Sequence, residues 1–184
     1  MVFVHYVAGK YEGMYVPHLY RVEYDASGKL LRTEPKEKGI PEKVRKRSIR
    51  NLKDAVYPEK PIVPLVRVVH DRVVLEVMRG CRRGCRFCQA RALYSPVREL
   101  PGEEIVKRAK QLTRASGYEE ISLSSLSTGD HSQIEEVISR LAECFRATRA
   151  HVAISLPSLR PDTFSVELLK MAREAKKTGI TLAV

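Results

Sequence analysis

No apolar run in this chain approaches the ~20 residues that a helix needs to cross a bilayer, so a helical membrane span is excluded. The first residues, MVFVHYVAGKYEGMYVP, lack a basic start, a long apolar stretch and a small-residue cleavage site, and so do not read as a signal peptide. Cysteine is scarce: there are four in 184 residues, three of them between positions 81 and 88. That excludes a disulfide framework and fits metal ligation in a reducing cytoplasm, where we expect the protein to reside. No G-x-G-x-x-G follows a strand-like segment, so a dinucleotide-binding sheet has no phosphate loop. There is no Arg/Gly repeat and no aromatic-rich RNA-binding signature.

What is present is ordinary in bulk and unusual in one place. A hydrophobic fraction of 43% and a charged fraction of 30% describe a globular chain long enough to bury a core. The net charge of +11 favours a polyanionic partner, RNA first among them, or serves general solubility. The unusual place is MRGCRRGCRFCQARALY, residues 78–94, with Cys81, Cys85 and Cys88 spaced C-x3-C-x2-C. Six arginines and no acidic residue lie from Arg79 to Arg98.

Two zones flank a proline-rich stretch. In the first, YRVEY (20–24), DASGK (25–29) and LLRTEP (30–35) predict strand, turn and return strand. PEKVRKRSIRNLKDA (41–55) predicts a basic helix with Val44, Ile49, Leu52 and Val56 on a narrow apolar face. Its cations suit a solvated face or an RNA or acidic-partner patch. YPEKPIVP (57–64) marks the boundary, which divides the chain into an extension, 1–62, and a core segment, 63–184.

The second zone alternates. A strand is predicted over 65–78 with an irregularity at Asp71, a helix over 102–117 ending at Gly117, and a strand over 120–126. A helix over 130–147 follows, with Asp130 as its N-cap and Gln133 three residues later. The pattern closes with a strand over 151–156, a helix over 165–179 and a strand over 180–184. The implied fold class is α/β, a partial (βα) TIM-type barrel whose loops at the C-terminal ends of strands carry the chemistry. The cysteine loop sits at that end. Ending on an apolar strand, the chain is expected to be a piece of a longer protein.

Three thiolates on one tight loop can hold three irons of a [4Fe–4S] cube and leave one iron open to an outside ligand. Gly80 and Gly84 permit the wrapping, and the arginines offset the anionic charge. Two other readings stay open. A zinc site would recruit His70 or His151. A fully ligated electron-transfer cluster would recruit Cys144, which is expected to be a buried structural thiol on the inward stripe of its helix.

C-x3-C-x2-C with Phe87 before the last cysteine resembles the radical SAM superfamily. VVHDRVVLEVMRGCRRGCRFCQARALYSPVREL, YEEISLSSLSTGDHS and AISLPSLRPDTFSVELL look like an uncharacterised family within it, whose members typically carry a cobalamin-type binding domain before the barrel. The likeness runs from about Tyr15 to the C-terminus, a middle slice of such a protein without the cobalamin-binding segment. The resemblance implies that Cys81, Cys85 and Cys88 ligate a [4Fe–4S] cluster whose fourth iron is chelated by S-adenosylmethionine (SAM). It implies one-electron cleavage of SAM to methionine and a 5′-deoxyadenosyl radical that abstracts a substrate hydrogen. It further implies an electron donor of flavodoxin or ferredoxin type, with cobalamin a further cofactor of the full-length protein. Phe87 would lie near the adenine. Ser124, Ser125 and Ser127 stand where relatives carry a Gly-Gly-Glu-like contact to the SAM amino group, and Ser155 and Arg160 stand where the SAM carboxylate would be held. RNA is a conceivable substrate on charge alone, and the rival class is a basic RNA-binding module with a structural iron–sulfur or zinc site.

Overall fold

The computed structural model describes residues 2–66, 68–148 and 152–163. It divides into two compact units, Met1–Ile49 and Arg50–Val184. In the first, helix α1 (Val2–Lys10) precedes an antiparallel hairpin of β1 (Tyr20–Tyr24) and β2 (Leu30–Pro35). The turn forms as its residues dictate. Asp25 Oδ1 accepts from the backbone N–H groups of Ser27 and Lys29, both at 2.9 Å, and Gly28 takes a φ of 82°. Ala8, Leu19 and Tyr20 form a small core with Val16, Ile40 and Val44 against it.

The basic helix predicted over 41–55 does not form. Its residues run irregularly, apart from one 3-10 turn at Leu52–Asp54, where the Asn51 side chain accepts from Lys53 N at 3.0 Å. Winding it would stack Lys43, Lys46, Arg47 and Arg50 at i, i+3 and i+4, where like charges repel. Tyr20 Oη donates to Pro41 O at 2.9 Å and Val44 packs on the small core, so the segment satisfies itself unwound.

The second unit is a parallel α/β assembly. Strand β3 (Val73–Glu76) leads, through the cysteine loop, to α3 (Gly102–Ser116), β6 (Glu120–Ser124), α4 (Ile134–Ala147) and β7 (Ala153–Ser155). Sheet order is β3-β6-β7, with both pairings parallel. The order never reverses, and α3 packs on α4, so both crossovers lie on one face. That is the winding of a barrel rather than of a doubly wound sheet. Alternation places Val73, Leu75, Ile121, Leu123 and Ile154 under the helices. Ile105, Ala109 and Leu112 from α3, with Val137, Ile138, Leu141 and Phe145 from α4, close that core. Glu76, Ser124 and Ser155 share the other face: Glu76 pairs with Ser124, and Ser155 pairs with Ser122, two residues from Ser124.

Several boundaries differ from expectation. The strand predicted over 65–78 starts only at Val73, because β6 offers five residues and none pairs with 65–72 among the described residues. Arg72 N donates to His70 O at 2.9 Å, which places the expected irregularity at Asp71. The strand then leaves the parallel sheet: β4 (Met78–Arg79) pairs antiparallel with β5 (Arg98–Glu99). The helix predicted from 130 starts at Ile134, without a side-chain cap. Cys144 is half-exposed rather than buried, since Leu141, Ala142 and Phe145 hold the inward stripe of α4. The helix predicted over 165–179 and the strand over 180–184 lie outside the described residues. No helix among the described residues is long and apolar enough to cross a membrane.

These packing positions predict contrasting responses. Leu123→Ala, at a fully buried site in β6, is expected to lower unfolding free energy by about 3 kcal/mol in urea titrations followed by circular dichroism. Cys144→Ser is expected to change it by less than about 1 kcal/mol.

Candidate functional site

The cysteine loop is closed at its base. Val77 N donates to Ser124 O at 2.9 Å and Leu100 N to Val77 O at 2.8 Å, so Val77 is stitched both to β6 and to the loop's return. The β4–β5 ladder draws residues 80–97 into a loop above that point. Gly80 opens it with a φ of 96°, and a Cβ there would stand 2.6 Å from Tyr94 O. Only glycine accepts both the conformation and the approach. Between them runs α2 (Ala90–Leu93), one short helical turn.

Within this loop Cys81 and Cys85 are half-buried, Cys88 is exposed, and all three are free thiols. Each sulfur accepts an N–H. Arg83 N reaches Cys81 Sγ at 3.4 Å, Ala90 N reaches Cys88 Sγ at 3.4 Å, and Arg160 Nη1 reaches Cys85 Sγ at 3.3 Å. No acidic side chain is among these partners. Three soft donors met by N–H groups suit an anionic, thiolate-held group. Among the described residues, no three His, Cys, Asp or Glu side chains are placed to hold one metal ion. His70 Nδ1 is engaged by Arg72 Nη2 at 3.2 Å, and His151 lies outside the described residues.

The loop's arginines find acids elsewhere in the fold. Arg79 Nε donates to Glu76 Oε1 at 2.9 Å and Arg82 Nη2 to Glu99 Oε1 at 2.9 Å. Arg83 grips Asp130 through two donors, Nε to Oδ2 at 2.8 Å and Nη2 to Oδ1. Buried Arg98 donates to Tyr94 O at 3.1 Å. Three of the six arginines concentrated in the sequence, Arg79, Arg82 and Arg83, are thus paired with carboxylates in the fold.

Asp130 had been expected to cap α4. Instead it ends the 3-10 turn Thr128–Asp130 after β6, where Ser127 Oγ also donates to it at 2.8 Å. Gln133, its expected capping partner, accepts instead from Gly102 N at 2.9 Å and so fixes the start of α3. The Arg83 guanidinium and the Ser127 hydroxyl hold the Asp130 carboxyl below its ordinary range, and the hydrogen bond to Asp130 raises Arg83 in turn. Asp162 is held low in turn, chiefly by Arg160.

Of the residues singled out from sequence, the structure brings Arg160 into contact with Cys85 and links Ser127 to the loop through Asp130 and Arg83. Phe87 stands 88% exposed on the loop. Ser124 and Ser155 end β6 and β7 on the face away from the helices. Ser125 Oγ pairs with Thr128 Oγ1 at 2.9 Å and accepts from Ser127 N at 3.2 Å, which shapes the loop after β6. Asp130 and Asp162 were not foreseen as site residues. The signal available for them was the long acid-free run of arginines, which needs carboxylates from elsewhere in the chain.

A depressed carboxyl stabilises the fold above its unfolded value and loses that contribution as pH falls through its folded value. Asp130→Asn is therefore expected to lower stability by about 1–2 kcal/mol at neutral pH, trimmed by the partial exposure of Arg83. In urea titrations the gap to the parent should close as pH falls below the ordinary value of 3.8. A gap that persists undiminished in acid would show that the ion pair is not its source.

Two comparisons bear on this arrangement. The chain is 33% identical over 100 residues to an uncharacterized protein of Methanocaldococcus jannaschii, a match that covers 54% of this chain and 21% of that protein. The chain thus spans about a fifth of the curated relative's length. The Radical SAM superfamily matches residues 75–184, which hold the cysteine loop and all but the first two residues of the parallel sheet. With a barrel-type sheet and three free cysteines on the loop after its first strand, this chain belongs to the radical SAM superfamily.

Proposed function

We propose that Cys81, Cys85 and Cys88 hold three irons of a [4Fe–4S] cluster and that SAM binds at the fourth, in an enzyme that abstracts hydrogen from a substrate not yet assigned. One observation carries the reading: three free thiols share one loop at the C-terminal end of the first strand of a barrel-type sheet, each already met by an N–H. Members of the superfamily generally bind both groups. When bound, the cluster supplies one electron to SAM and so opens radical chemistry at a hydrogen of the substrate.

The chain's own residues have defined tasks in this reading. The β4–β5 ladder and Gly80 set the loop's entry and exit. Arg83 and Asp130 hold its middle against the loop after β6. Phe87 offers an exposed aromatic face beside Cys88, suited to stacking on an adenine. Ser124 and Ser155, on the face shared with Glu76, would offer hydroxyls to the amino-acid end of SAM. Ser127, 1% exposed and donating to Asp130, would support the loop after β6 in this reading. An external donor, of flavodoxin or ferredoxin type, would deliver the electron.

Anaerobic reconstitution of this chain with iron and sulfide should give a brown protein with about four of each per chain. Replacing any of Cys81, Cys85 or Cys88 by Ala should remove most of that iron, and Cys144→Ala should remove none. A colourless protein that takes up one tight zinc instead would refute the assignment.

A further inference from the structure

The three sulfurs are not equivalent. Cys81 and Cys88 receive backbone N–H groups from their own loop, which no side-chain substitution removes. Cys85 receives a guanidinium from 75 residues away, at the end of a third strand. Resting on the cluster assignment above, we propose that Arg160 is a positioning residue for Cys85: its Nη1–H holds the sulfur's orientation and stabilises the reduced, more negative cluster.

The guanidinium is built to point there. Its Nε donates to Asp162 Oδ1 at 2.9 Å and its Nη2 to Asp162 Oδ2 at 3.0 Å. That bidentate grip occupies the fork that would otherwise take a ligand carboxylate, and it aims Nη1 at Cys85. Asp162 is held in turn by Arg83 Nη1 at 3.5 Å, and Arg83 by Asp130. Asp130, Arg83, Asp162 and Arg160 thus form one alternating chain of charge across three loops, and it ends on a sulfur. The backbone is anchored beside it. Leu159 is fully buried, and Ser158 turns the chain at a φ of 60°, a conformation kept only where the surroundings enforce it.

Hydrogen bonds to cluster sulfurs, and cationic charge near them, raise the reduction potential because the added electron increases the negative charge they stabilise. The step in question is addition of one electron to the oxidised cluster, drawn in the test from dithionite through mediators. No activity is needed to read it.

The test compares reconstituted wild type, Arg160→Leu, Arg160→Gln and Arg160→Lys in redox titrations followed by electron paramagnetic resonance. At the wild-type midpoint, Arg160→Leu should show a reduced-to-oxidised ratio about tenfold lower, equivalent to about 59 mV for one electron. Arg160→Gln, which keeps an N–H but no charge, should fall between. Arg160→Lys should stay within about twofold of wild type. Neutral variants that load fully and match wild type overturn the role of Arg160 and leave the cluster assignment standing. Failure of both neutral variants to hold iron while Arg160→Lys holds it overturns the electronic role in favour of structural anchoring alone. A wild-type chain that takes up no cluster takes both readings down.

Discussion

Arg83 lies in the cysteine loop and Asp130 in the loop after β6, and their paired hydrogen bonds hold the two loops together. A loop that offers three thiols in a useful arrangement needs such a hold, because nothing inside residues 80–97 is long enough to stiffen it. Its one helix is a single turn, and its base ladder joins only two residues on each side. The parallel register supplies the rest. It brings the ends of β3, β6 and β7 level, so that side chains from three distant segments meet within hydrogen-bonding reach.

The electrostatics follow from that meeting. In linear sequence the arginines around the cysteines form an acid-free run, and a basic surface for RNA is a natural reading. In the fold Arg79, Arg82 and Arg83 pair with Glu76, Glu99 and Asp130. An ion-paired guanidinium has less to offer a phosphate backbone. Each cysteine sulfur of the loop meets an N–H group, and Arg86 and Arg91 of the same loop are exposed. The partnered arginines shape and hold the loop, and the Arg160 side chain donates to a cysteine sulfur.

Much of the architecture was legible. The hairpin at 20–35 followed from alternating residues around an Asp-to-Gly turn, and α3 and α4 from their apolar stripes. The errors have common causes. The basic segment 41–55 carried a weak apolar stripe and dense like charge, and local repulsion outweighed its helix propensity. The strand at 65–78 was over-extended because β-propensity does not say how long the neighbouring strand will be. Asp130 was a sound N-cap by local rules, but a guanidinium from another loop claimed its carboxylate, and α4 began at Ile134 without it.

By itself the sequence determined the class of the fold, the place of the cysteines after its first parallel strand, and the chemistry three closely spaced thiols invite. These depend on periodicity and short-range spacing, which a linear chain displays directly. Only the tertiary structure decided which carboxylates balance the arginines, why Gly80 must be glycine, and which sulfur a distant guanidinium reaches. Those facts depend on contacts made only in the folded chain, and the links from Arg83 to Asp130 and Asp162 and from Arg160 to Cys85 join groups 47 to 79 residues apart in sequence. An acid-free run of arginines signals that carboxylates must come from elsewhere, but no single segment says which ones three aligned strands will bring to it.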